Sequence, residues 1–123
     1  MKKTQWKELP TERLVEEYGV ISADHGRDIE AGRPKAANRK YDVLVAMRQE
    51  FRERGAEAQR KLLKLIDAPE PGTRYWVASF ALAFAPGEGE RVLAELAKIP
   101  NSFVAFTAGL ALEQWKAGTF KPA

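Results

Sequence analysis

The second half of the chain contains an internal repeat, in which residues 61–85 align with residues 91–115 after a shift of 30 positions and without a gap. Each segment reads as an amphipathic helix, a short turn with proline, and a longer, more apolar helix. Apolar residues align with apolar residues, including the pairs Leu63–Leu93, Ile66–Leu96, Trp76–Phe106 and Phe80–Leu110. A repeat of about 20–50 residues with this content is typical of a helical solenoid, in which each helix pair covers the apolar face of its neighbour.

Glycine and proline divide the rest of the chain into helical segments. Glycine is favoured just after a helix and proline at the start of the next one, and the chain repeats this arrangement several times. No segment alternates apolar and polar residues over a strand-like length. The sequence therefore predicts an all-α protein with six helices, at residues 11–31, 34–54, 57–67, 72–85, 88–98 and 102–117.

The first two helices are predicted to form an antiparallel hairpin around a turn near Gly32. The first helix carries an apolar stripe of Leu14, Tyr18, Ile21, His25 and Ile29. The second helix carries a matching stripe of Ala37, Tyr41, Leu44, Met47 and Phe51. Folding the pair back on itself places His25 level with Tyr41, and Tyr18 level with Arg48.

Length and composition predict one helical domain over residues 1–123. It comprises the hairpin at 11–54 and two HEAT-like helix pairs at 57–85 and 88–117. A content of 45% hydrophobic and 30% charged residues is ordinary for a soluble globular domain. The chain has no cysteine and one histidine, which excludes disulfides, thiol nucleophiles, thiolate metal sites and multi-histidine metal sites.

Two resemblances refine this expectation. The segment IDAPEPGTRYWVASFAL resembles a HEAT-type repeat, with a short helix, an acidic turn with proline, an arginine and an alanine-rich inner helix. Over nearly its whole length the chain also resembles the bacterial family known as domain of unknown function 2019, through LVEEYGVISADHGRDIEAGRPKAANRKYD, LIDAPEPGTRYWVASFAL and LALEQWKAG. The resemblance implies an all-α, right-handed α-α superhelix of the HEAT-like or armadillo-like kind. It implies no activity and no catalytic residues.

Positive charge is concentrated in residues 33–64, where ten Lys and Arg residues stand against four Asp and Glu residues, a difference of +6. Such a segment indicates an anionic partner surface. It lacks the dense basic stripe of a dedicated nucleic-acid-binding protein. The candidate binding-surface residues are Arg39, Lys40, Arg48, Arg52, Arg60 and Lys64.

The single histidine is interpreted as a structural residue. His25 is predicted to lie at the edge of the core and to hydrogen-bond to Tyr41 or to a neighbour on its own helix. Asp24 and Asp28 are expected to point away from its ring around the helix, which argues against a catalytic pair. The acidic and amide groups of this region, Asp24, Asp28, Asn38 and Asp42, are interpreted as an exposed polar face.

Two arginines and the apolar run at residues 75–85 are also given packing roles. Arg48 is predicted to stack on the ring of Tyr18, with presentation to a partner as the alternative. Arg74 is predicted to pair with an acid of the preceding turn, either Asp67 or Glu70. Because the run at 75–85 is apolar on all sides, its helix is predicted to be the buried centre of the fold.

The sequence favours a non-enzymatic helical-repeat binding module for another protein, including a role as inhibitor or antitoxin, without catalytic, metal or cofactor residues. Weak nucleic-acid binding through residues 33–64 is the alternative. An enzyme or metal protein that uses His25 and the nearby aspartates is the second alternative. The run at 75–85 is far shorter than the roughly 20 residues of a membrane span, and the N-terminus lacks a secretory apolar segment, so a cytoplasmic protein without membrane contact is expected.

Overall fold

The computed structural model describes residues 3–121, which form helices and no strand. A short 3-10 helix at Lys3–Glu8 precedes six α-helices. These are α1 (Thr11–Glu30), α2 (Pro34–Arg54), α3 (Ala56–Leu63), α4 (Pro71–Ala81), α5 (Pro86–Leu96) and α6 (Phe103–Lys116). The all-α class and the six predicted helices are confirmed, and their predicted ends differ from the observed ends by at most four residues.

The helix boundaries follow from proline and glycine. Pro34, Pro71 and Pro86 lie in the first turn of α2, α4 and α5, where a missing N–H group removes no intrahelical hydrogen bond. Gly32 and Gly55 have positive φ angles of 70° and 91°, a region that other residues rarely adopt. These two residues let the chain reverse after α1 and turn after α2.

The largest errors in the predicted boundaries are the C-terminal ends of α3 and α4. Beyond Leu63, the N–H groups of Leu65 and Ile66 bond to carbonyls three residues earlier rather than four. The N–H groups of Ala83 and Phe84 do the same after α4. This tighter geometry continues the helical path as turns, so the apolar pattern extends further than the α-helix itself.

Helix α4 lies at the centre of the fold. Residues 76–82 are seven consecutive buried residues, which confirms that this helix is the buried centre. It packs against α1, α5 and α6, while α2 packs against α1. Among the described helices none combines the length and the low polarity that crossing a bilayer requires.

Helices α1 and α4 cross at two glycines. A Cβ atom on Gly72 would lie 2.5 Å from the carbonyl oxygen of Ser22 and 2.9 Å from the Cα atom of Gly26. Beside this crossing, the Ser22 hydroxyl donates to Thr73 Oγ1 at 3.0 Å, and Thr73 donates to the carbonyl oxygen of Gly19 at 3.0 Å. The two backbones are therefore in contact, and a larger residue at either glycine has no space.

Gly72 and Gly87 form a matched pair for testing this contact, because each follows a proline in the first turn of a helix. We expect Gly72→Ala to lower the free energy of unfolding by about 1–3 kcal/mol, since its methyl group would overlap backbone atoms. Gly87→Ala has nothing within 4 Å of the new methyl group and should be neutral or stabilising by up to about 1 kcal/mol. Urea denaturation measures both, and equal stabilities would show that the helices do not touch here.

Candidate functional site

A partly open cavity of about 330 Å³ lies between α1, α2, α4 and α6. Its size is at the lower end of the range for small-molecule sites. Its lining residues are His25, Gly26, Ile29, Asn38, Tyr41, Arg48, Gly72, Tyr75, Trp76, Val104, Thr107, Phe120 and Lys121. None of these described residues is acidic, whereas two of them carry a full positive charge.

Trp76 is the aromatic centre of this cavity. Its ring centroid lies 5.3 Å from that of His25 and 5.5 Å from that of Tyr41. The Tyr75 ring is 6.3 Å away, and all three pairs have edge-to-face geometry. This is a preferred arrangement for aromatic pairs, so the rings form a stable aromatic wall.

His25 is held by Trp76. The indole Nε1–H group donates a hydrogen bond to His25 Nδ1 at 3.1 Å. Because Nδ1 is the acceptor, the proton of the neutral imidazole must lie on Nε2, which makes Nε2 a donor. Burial lowers the pKa of His25 below its ordinary value, against the opposing effect of the Asp28 carboxylate.

The prediction for His25 is therefore partly corrected. The predicted position of His25 beside Tyr41 is confirmed, since the two ring centroids are 6.4 Å apart. The predicted hydrogen-bond partner, Tyr41 or a neighbour on α1, is wrong. The partner is Trp76 on α4, because the glycine crossing brings α4 close to this face of α1.

Arg48 extends from α2 into the interior and is only 3% exposed. Its Nε atom donates to Tyr18 Oη at 3.0 Å, which confirms the prediction that the two residues lie opposite each other on α1 and α2. Its Nη2 atom donates to the Trp76 carbonyl oxygen at 2.7 Å and to Ser79 Oγ at 2.6 Å. The guanidinium stacks on Trp76, 4.5 Å from the ring centroid, rather than on Tyr18 as predicted.

The charge of Arg48 is not neutralised by the surrounding protein. All of its hydrogen-bond acceptors are neutral, and Nη1 has no partner within the described part of the chain. Burying a charge costs several kcal/mol. Hydrogen bonds to a charged group of about 1.5–3 kcal/mol each and a cation–π contact of about 0.5–2 kcal/mol offset this cost, but they leave the charge itself unbalanced.

A second guanidinium adds to the positive potential. The Arg52 guanidinium carbon lies 5.1 Å from the centroid of the Phe80 ring, and that of Arg48 lies 5.3 Å from the same centroid. Burial, followed by the charge of Arg48, lowers the pKa of Arg52. Arg48 thus lies close enough to Arg52 to disfavour the charged form of Arg52.

The six basic candidates are in different environments. Arg39, Arg60 and Lys64 are exposed, Lys40 and Arg52 are half-buried, and Arg48 is buried. The interpretation of Arg48 as a surface residue is therefore wrong, because its side chain is enclosed by Tyr18, Trp76 and Ser79. Only Arg48 among the six lines the cavity.

Two further predictions about polar residues are wrong. Asp28 is buried rather than exposed, because the turn after α1 brings Arg33 and Lys40 to its two carboxylate oxygens. The hydrogen bond from Lys40 is the main cause of the lowered pKa of Asp28. Arg74 pairs with Glu95 at 2.9 Å and not with Asp67 or Glu70, because α4 packs beside α5 and places Glu95 within reach.

A second exposed feature is the outer face of α6, which we call the α6 apolar face and define by Phe103, Phe106 and Leu110. These residues are 44–72% exposed and share one side of the helix. The residues aligned with them by the repeat, Thr73, Trp76 and Phe80, are at most 3% exposed. The two halves of the repeat therefore differ in what covers this face.

The lowered pKa of His25 makes stability depend on pH. Below about pH 6.5, His25 binds a proton in the unfolded chain but stays neutral in the folded protein, because its folded-state pKa is lower. The free energy of unfolding therefore falls as the pH decreases, until the pH reaches the folded-state pKa. Above that window the ring is neutral in both states. Denaturation between about pH 7.5 and pH 5 should show a larger loss for the wild type than for His25→Gln. Parallel curves would contradict the burial of a neutral ring.

A solved structure has the same overall fold. The crystal structure of the protein RPA1889 from Rhodopseudomonas palustris CGA009 matches 95% of this chain and 97% of its own length, with a TM-score of 0.84 and 24% sequence identity. At this identity the likeness supports the fold alone. A search of the curated proteins gives no match.

The sequence family is shown by a separate comparison. The family model for the domain of unknown function DUF2019 matches residues 12–115. This range includes most of α1, all of α2 to α5 and most of α6, so the match spans the fold and nearly the whole cavity wall. The chain belongs to the DUF2019 family, and its predicted resemblance to that family is confirmed.

Proposed function

We propose that this chain is a non-enzymatic helical-repeat binding module for another protein, and that the partner docks on the α6 apolar face. In this proposal α3–α4 and α5–α6 are the two HEAT-like pairs of a right-handed superhelix. The proposal rests on one observation: three large apolar side chains are exposed on one side of the last helix, whereas the aligned positions one repeat earlier are buried.

The exposure of this face is unfavourable unless a partner covers it. Burying a Phe or Leu side chain is worth about 1.5–3 kcal/mol. Single exposed apolar residues are common, but a contiguous group marks an interaction site. Phe103 and Phe106 also line a shallow groove with Asn101 and Ser102, which gives a partner side chain a place to insert.

The fold itself contains a precedent for what covers such a face. In α4, the aligned face is covered by the α1–α2 hairpin, with Arg48 over Trp76 and Arg52 over Phe80. Phe106 occupies the position aligned with Trp76. The partner element is therefore an amphipathic helix of another protein, with an arginine that stacks on Phe106.

The charges beside the face suit such a partner. Glu30 is the last residue of α1, and its carboxylate accepts a hydrogen bond from the backbone N–H of Phe103, the first residue of α6, at 2.6 Å. Glu113 is exposed one turn beyond Leu110. Residues 67–123 hold five basic and six acidic residues, a net charge of −1, so a basic helix is favoured over an acidic one.

The two alternative functions have less support. Lys40 and Lys61, in the basic segment, are already bound to the carboxylates of Asp28 and Glu12, which reduces the charge available to nucleic-acid phosphates. For an enzyme, His25 would need a free basic nitrogen. Its Nδ1 atom is occupied by the Trp76 indole, and its Nε2 atom carries the proton.

The role of the α6 apolar face can be tested with a matched pair of substitutions that each introduce a negative charge. Phe106→Glu places a charge at the centre of the face, and Val20→Glu places one at a 59% exposed apolar residue on α1. Both should leave thermal stability nearly unchanged, within about 0.5 kcal/mol, because both sites are at the surface. A partner identified by affinity purification from the native cell, then purified, should bind Phe106→Glu at least about tenfold more weakly by calorimetry.

Val20→Glu should bind the purified partner with wild-type affinity. A partner that binds all three proteins equally would contradict the proposed surface. A concentration-dependent dimer that Phe106→Glu abolishes, measured by sedimentation, would contradict it as well, because a second copy would then be the occupant.

A further inference from the structure

We propose that the cavity around Arg48 is a binding site for a small carboxylate with a single negative charge and a flat aromatic body. This site is separate from the α6 apolar face and uses different residues. Arg48 is a buried cation without a counter-ion among the described residues, and the wall around it holds hydrogen-bond donors and aromatic surfaces.

The charge of the cavity favours an anion. Arg48 is buried, and its Nη1 atom has no hydrogen-bond partner in residues 3–121. Lys121 contributes a second positive charge at the wall, and no carboxylate of the described residues lines the cavity beside either group. An anion that reaches Nη1 forms a charge-assisted hydrogen bond, which is roughly twice as strong as a bond between neutral groups.

The neutral polar groups of the wall can donate to the same anion. His25 offers its Nε2–H, since Nδ1 is bound to Trp76. Tyr41 and Tyr75 also line the cavity and carry hydroxyl groups, whereas the Thr107 hydroxyl donates to the carbonyl oxygen of Phe103. A carboxylate accepts up to about four hydrogen bonds and donates none, so it matches a wall that is rich in donors. Since His25 is already protonated on Nε2, this set of groups is suited to binding rather than to proton abstraction.

The number of available charges favours a carboxylate over a phosphate. Phosphate sites use several backbone N–H groups at a helix N-terminus or a cluster of cationic side chains. Here one buried guanidinium presents one nitrogen that has no hydrogen-bond partner among the described residues. A single negative charge balances this guanidinium, whereas the second charge of a phosphate dianion would have only the exposed Lys121 to pair with.

The rest of the wall selects the body of the ligand. Tyr41, Tyr75, Trp76 and Phe120 provide aromatic surfaces on several sides of the cavity, and Ile29 and Val104 are aliphatic. Flat rings pack against aromatic side chains in offset or edge-to-face contacts. A volume of about 330 Å³ is suited to a small aromatic acid and not to a nucleotide.

The test uses three probes of similar or smaller size: phenylacetate, its neutral isostere phenylacetamide, and inorganic phosphate. Phenylacetate should bind saturably by calorimetry and should shift the Trp76 indole N–H resonance, because Trp76 lines the cavity. Phenylacetamide and phosphate should each bind at least about tenfold more weakly.

Variants assign the binding to Arg48. Arg48→Met removes the charge, and it should still fold because Tyr18 Oη keeps its bond to the Trp76 carbonyl oxygen and Ser79 keeps its bond to that of Tyr75. This variant should lose phenylacetate affinity at least about tenfold. If circular dichroism shows that Arg48→Met is unfolded, Asn38→Phe replaces it as the deciding variant. Asn38 is exposed and lines the cavity, so the new ring should fill part of the cavity and lower phenylacetate affinity at least about tenfold as well.

Phe106→Glu separates this proposal from the proposed docking function, because it should bind phenylacetate like the wild type. The carboxylate site is overturned by any of three results. These are the absence of saturable phenylacetate binding, equal affinity for phenylacetate and phenylacetamide, and unchanged phenylacetate affinity in the deciding variant.

Discussion

The contact between Gly26 and Gly72 is the constraint on which the rest of the structure depends. Because neither residue has a side chain, the backbones of α1 and α4 meet, and a Cβ atom on Gly26 would lie 2.7 Å from the Gly72 Cα atom. This closeness lets His25 reach the Trp76 indole across the two helices. The same crossing places Trp76 where Arg48 of α2 stacks on it. The cavity is therefore a consequence of helix packing at two small residues.

The arginine inside this packing has a cost that the fold alone does not explain. Replacing a buried charged group by an apolar one is often neutral or stabilising. A buried guanidinium without a counter-ion is therefore expected to make the fold no more stable than an apolar side chain would. Protein groups that break a local rule without compensation are expected at functional sites. Arg48 is such a group, since neutral acceptors satisfy its Nε and Nη2 atoms while its charge remains directed at the cavity.

The sequence predicts the local features of this protein and misses the long-range ones. Proline and glycine predict where the helices begin and end, and the apolar stripes predict that Tyr18 lies opposite Arg48. Both features depend only on residues that are neighbours along one or two helices. The partner of His25 and the burial of Asp28 depend on segments that only folding brings together. The repeat alignment also fails to predict the difference between Trp76 and Phe106, because Arg48 of α2 covers Trp76 whereas Phe106 is exposed.

The most direct measurement of the central claim is anomalous diffraction from crystals of the wild-type protein soaked in bromide. Bromide is a small anion, and its anomalous signal locates it without ambiguity. The account predicts a bromide peak in the cavity within contact distance of Arg48 Nη1, in addition to any peaks at surface lysines and arginines. Bromide at surface sites with none beside Arg48 would contradict the account, because it would show that the cavity does not attract an anion.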